Sequence, residues 1–99
     1  MFLTLVNVIV SYGGIYNMEK YVYYYGLKSN HSDLLYEVEI IQNENHIKDR
    51  VIKRWLPAAS DKQAEHYKKA KRIITNARST ITRNNKKIDR IKTLINDNF

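Results

Sequence analysis

Two periodicities divide the chain. Residues 20–28 read KYVYYYGLK, rich in aromatic and β-branched residues, which predicts a strand. Tyr21, Tyr23 and Tyr25 would share one face and Val22 and Tyr24 the other. Ser29-Asn30-His31-Ser32-Asp33 predicts a turn, because each of these side chains can bond its own backbone. From Leu34 to Gln42, Tyr36, Val38 and Ile40 alternate with Glu37 and Glu39, the pattern of a half-buried strand. Asn43-Glu44-Asn45 predicts a second turn. Residues 46–56 fit two periods. Ile47, Val51, Ile52, Trp55 and Leu56 make a helical stripe; Val51, Lys53 and Trp55 make a strand face. The short turn before them favours a hairpin, hence a third antiparallel strand, which Pro57 would end.

Beyond Pro57 the period becomes helical. Tyr67, Ala70, Ile74, Ala77, Ile81, Asn84, Ile88, Ile91 and Ile95 follow a regular alternation of three and four, a heptad seam. Ser60-Asp61-Lys62-Gln63 has the form of a capping box, so a helix over 60–97 is expected. Such a helix would be about 57 Å long, more than a three-stranded sheet can cover. Its second half therefore either projects and pairs with another chain, or folds back at the weak helical stretch 79–85. The expected fold class is α+β: a small antiparallel sheet over residues 20–56, packed against a long basic C-terminal helix.

Residues 1–17 stand apart. Met1 to Val10 holds eight apolar residues in ten, too short a run to span a bilayer, and no base precedes Lys20 to make a signal peptide. One expectation is a fourth, buried strand over residues 2–10. The other is a non-native upstream extension, since Gly13-Gly14 ahead of Met18-Glu19-Lys20 is how a ribosome-binding purine run before a start codon would read. Residues 18–99 then form a single small domain.

Composition sharpens the picture through charge. The 99 residues carry 17 Lys plus Arg against 10 Asp plus Glu, a formal net of +7. Residues 1–59 balance six bases with six acids, and residues 60–99 hold eleven bases and four acids. From Lys68 to Lys87 there are eight bases and no acid. A chain that needed charge only to stay in water could mix its signs, so this segregation points to a polyanionic partner. The expected contact residues are Lys68, Lys69, Lys71, Arg72, Arg78, Arg83, Lys86, Lys87 and Arg90, all off the apolar seam. Tyr21, Tyr23 and Tyr25 are candidates for stacking unpaired bases. Ile81, Asn84, Ile88, Ile91 and Ile95 are candidates for an oligomer seam in which Asn84 sets the register.

Catalytic chemistry has little to stand on. No nucleophile elbow, metal-binding His pair or Gly-rich phosphate loop occurs, and Cys is absent. The expectation is a non-enzyme with no cofactor, no metal, no membrane partner and no small-molecule substrate. It would dock on nucleic acid, or on the acidic surface of a nucleic-acid-handling protein. The alternative is an assembly protein that forms a homodimer through the heptad seam. The Asn/Ile/Lys/Tyr-rich usage resembles that of small accessory proteins of AT-rich bacterial phages. That resemblance implies a cytoplasmic, phage-type inhibitor of a host or defence nuclease, anti-CRISPR-like in kind.

Overall fold

The computed structural model describes residues 20–99. The expectations for residues 1–17 lie outside that range. The described chain is mostly helical: β1 (Val22–Tyr24), β2 (Leu27–Ser29), α1 (His31–Ala59) and α2 (Tyr67–Asn98).

The first predicted strand is a hairpin in miniature. β1 and β2 pair antiparallel, with Tyr24 opposite Leu27 and Val22 opposite Ser29. The two residues between them, Tyr25 at φ 50° and Gly26 at φ 78°, both turn left-handed. That geometry matches the right-handed twist of the flanking strands. The alternation holds: Val22 and Tyr24 pack against the core, while Tyr21, Tyr23 and Tyr25 are exposed.

Among the described residues, the other two predicted strands are helical. Residues 34–42, the turn 43–45 and residues 46–56 all belong to α1, a helix about 43 Å long. The physical reason is a second seam. Leu34, Val38, Ile41, Asn45, Lys48, Ile52, Trp55 and Ala59 are spaced alternately by four and three. All eight are buried or half-buried. Asn45 and Lys48 on that seam break its apolar reading, and the exposed Tyr36 and Ile40 counterfeit a strand face beside Val38. Of the predicted turn 29–33, Ser29 ends β2 and residues 30–33 are the N-cap and first turn of α1. The Asn30 side chain accepts from the Asp33 N–H at 2.8 Å, and the Asp33 carboxylate accepts from the Asn30 N–H at 3.0 Å. This reciprocal pair satisfies two donors that the first turn would otherwise leave orphaned.

Pro57 does not end α1; it lies inside the last turn. Three residues further on, Ser60 is the C-cap, its N–H donating to the Leu56 and Pro57 carbonyls. The predicted capping box at Ser60 is thus not a helix start. Asp61 instead turns its carboxylate onto the Gln63 N–H at 2.9 Å, a local bond that competes with helix. Residues 60–66 reverse the chain, and α2 begins at Tyr67. It then runs without the break expected at 79–85.

The two helices pack antiparallel along their seams. Leu34, Val38 and Ile41 of α1 meet Ile88 and Ile91 of α2, with Val22, Tyr24, Leu94 and Ile95 around them. Ala70, Ile74 and Ala77 continue the buried face of α2 toward the reversal. The heptad seam therefore finds its partner within the chain. Within the chain, Ile81, Asn84, Ile88, Ile91 and Ile95 face α1 or the hairpin's core.

Midway along the pair lies a polar layer. Asn84, 4% exposed, donates through Nδ2 to Glu44 Oε1 at 2.9 Å and to Asn45 Oδ1 at 3.0 Å. Asn45 Nδ2 in turn donates to Asn85 Oδ1 at 3.1 Å. A buried amide is stable only where it is bonded, so this layer fixes which residue of α1 faces which of α2.

Candidate polyanion interface

The polar layer divides the rod into two ends with different charge. On the reversal side, residues 46–83 carry eleven bases and three acids, a net of +8. On the hairpin side, residues 20–45 and 84–99 together carry six bases and six acids, a net of zero. All the excess charge of the described chain thus sits at one end.

Folding creates this concentration. The first 59 residues are neutral as a block, but α1 itself is polarised. Residues 31–45 hold four acids and no Lys or Arg, whereas residues 46–59 hold four bases and one acid. The antiparallel turn lays Lys48, Arg50, Lys53 and Arg54 beside Lys68, Lys69, Lys71, Arg72, Arg78 and Arg83. The exposed Arg50, Lys53 and Arg54 are site residues that the linear charge count conceals. The available signal was the order of signs within α1, legible only once 31–59 is taken as one helix.

Every expected contact residue on α2 is exposed. Lys68, Lys69, Lys71, Arg72, Arg78 and Arg83 cluster at the basic end. Lys86, Lys87 and Arg90 lie beyond the polar layer, where acids of α1 balance them. Among the described residues, Lys53 pairs with Asp49 at 3.2 Å, and His66 Nε2 lies 3.9 Å from the Glu65 carboxylate. No α2 base is engaged by a carboxylate there. Lys69 lies over the Trp55 ring at 5.6 Å, Lys71 over Tyr67 at 5.5 Å, and Arg83 Nη2 donates to the Thr80 hydroxyl at 3.2 Å. These contacts hold the stems and leave the charge available.

The placement also opposes helix stability. The first turns of α2 carry Lys68, Lys69, Lys71 and Arg72, no acid lies in the first turn, and His66 makes no side-chain cap. Cations at a helix N-terminus meet the positive end of the dipole.

The tyrosines lie at the neutral end. Tyr23 is 73% exposed and Tyr25 67%, but β1 and β2 are three residues each and offer no broad platform. Arg90 Nη1 donates to the Tyr25 hydroxyl at 2.7 Å, and Lys28 lies over Tyr21 at 4.6 Å. Tyr24, half-buried with its edge toward Tyr25, has its hydroxyl pKa raised, first by burial and then by Tyr25 and Glu37. Tyr23, Tyr24 and Tyr25 line an open cleft of about 470 Å³ together with Arg90, Thr93, Leu94 and Asp97. The structure therefore does not bring the three candidate stacking residues to the basic end.

Among the described residues no group of three or more His, Asp or Glu could hold a metal, and no helix is long and apolar enough to cross a membrane. No protein-family model, curated protein or solved structure matches the chain.

Proposed function

We propose that this protein is a non-catalytic binding protein that docks on nucleic acid, or on a nucleic-acid-handling complex, through the basic end of its helical hairpin. The observation that carries the reading is the division at the polar layer: a net of +8 on one side and zero on the other. Bases at the start of α2 cost helix stability, so a contact that uses them gives their placement a reason. A phosphate backbone supplies that contact, because each neutralised phosphate releases condensed counterions. Inhibition of a host or defence nuclease is one setting for it, with the hairpin seated on the nucleic acid that the nuclease holds.

Two charge-reversal sets test the proposal. The first changes Lys53, Arg54, Arg72, Arg78 and Arg83 to Glu; the second changes Lys86, Lys87 and Arg90 to Glu. Both leave the seams untouched, and circular dichroism should show both folded. Binding to duplex DNA should vanish in the first and fall modestly in the second. For the unaltered protein, log affinity against log salt should slope by roughly −0.9 per phosphate engaged. A folded first-set variant that binds as before would overturn the proposal.

A further inference from the structure

A two-helix hairpin leaves most of each helix uncovered, and α1 has a second apolar stripe on a side away from its seam. Tyr36, Ile40, Ile47 and Val51 are spaced four, seven and four, which places them on one side of the helix. Tyr36 is 64% exposed, Ile40 44% and Ile47 51%, with Val51 half-buried. The core they leave unsupported is thin. Among the described residues eight apolar side chains are buried, three of them alanine or valine, and Leu34 and Ile91 are the largest that are fully enclosed. A single core of this size supplies little net stability.

The charges beside the stripe say what covers it. Acids occupy the first half of α1 and bases the second, so the helix complements itself when reversed. A two-fold axis between residues 43 and 44 sets Tyr36 opposite Val51 and Ile40 opposite Ile47. The same axis sets Asp33 opposite Arg54 and Glu39 within a turn of Arg50, each pair occurring twice. All four of these charged side chains are exposed. Glu44, which would otherwise meet its own copy near the axis, is turned back to the seam by Asn84 at 2.9 Å. Self-complementary pairing of one patch is what an isologous dimer requires.

We propose that the outer stripe of α1 is the interface of an antiparallel homodimer, α1 against α1, centred between Asn43 and Glu44. The inference does not depend on the polyanion reading. The dimer carries its two basic ends at opposite extremes of one long particle.

The chain has no cysteine, which makes a cross-link decisive. At an interaxial distance of about 9 Å, the two copies of residue 43 come within disulfide reach across the axis. Asn43→Cys should oxidise to a covalent dimer at micromolar protein, whereas Gln42→Cys and Lys53→Cys controls should not. Light scattering on nuclease-treated protein should give twice 11.8 kDa for the unaltered chain. Ile47→Glu, on the exposed side, should keep the helical circular dichroism signal and give a monomer. Glu39→Arg should raise the dimer dissociation constant roughly tenfold, and adding Arg50→Glu should restore it. A monomer at every concentration overturns the proposal, whether the stripe stays bare or is covered by residues 1–17. So does a dimer that fails to cross-link at residue 43 or ignores the charge swap.

Discussion

Asn84 shows how one side chain can specify an arrangement. Its amide serves Glu44 and Asn45, while Asn45 serves Asn85. Removing a buried partner from such a set leaves the others to find water, at a cost of about 1–3 kcal/mol. Asn84→Ala should lower the urea midpoint accordingly. Because the residues act as a unit, a double-mutant cycle with Asn45→Ala should show a coupling of about 0.5–3 kcal/mol. Tyr24 makes a second residue-scale prediction. Its hydroxyl pKa is raised, chiefly by burial, so the unfolded chain releases that proton first as pH climbs. The stability contributed by the neutral ring is complete below pH ~10, the ordinary tyrosine value, and is lost as pH rises through the raised one. Tyr24→Phe should flatten the alkaline limb of stability against pH; an unchanged limb would assign the loss to other groups.

The helices explain which elements the sequence discloses and which it hides. The seam from Tyr67 to Ile95 is legible because seven of its nine positions are aliphatic, and the structure buries six positions of α2 along it, Asn84 among them. The seam of α1 carries Asn45 and Lys48, and its outer stripe adds Tyr36 and Ile40 beside Val38, so three apolar residues in alternation imitate a strand. Only the partner helix tells them apart. The capping signals fail for a related reason. Asn30-x-x-Asp33 and Ser60-x-x-Gln63 both have the form of a box, but the second lies where the chain must reverse for the seams to meet. Asn30→Ala should therefore cost about 0.5–2 kcal/mol, read from denaturant melts. Ser60→Ala should shift the midpoint by far less, since no side-chain cap of Ser60 starts a helix. The candidate site was legible as a run of bases on α2, but not as one end of a rod. That reading needs the sign order within α1 and the fold that brings its bases alongside.

At the scale of the molecule, charge and packing are distributed in opposite senses. The apolar cluster of Leu34, Val38, Ile41, Ile88 and Ile91 lies at the neutral end, closed by Phe99 stacking on His31 at 5.3 Å. The basic end is held by fewer buried groups, Ala70, Ile74 and Ala77, two of them alanine, with Trp55 half-buried. The sole tryptophan, under Lys69, thus reports on the end proposed to bind. Its fluorescence should change on adding duplex DNA and recover as salt competes, with little change in the Lys86, Lys87 and Arg90 reversal set. A spectrum that ignores DNA while binding is detected by another method would place the contact elsewhere.

The reversal at residues 60–66 also sets an order of events in time. Contacts next to it close the shortest loops, which are the fastest and least costly in entropy to form. Those first contacts join Trp55 to Lys69 and their neighbours, where cations from both helices converge. The large aliphatic groups that reward docking, Leu34 against Ile91, are the most distant in sequence. The hairpin must therefore zip from its most self-repelling end toward its most cohesive one. Salt, by shortening the reach of that repulsion, should speed refolding in stopped-flow experiments more than it slows unfolding.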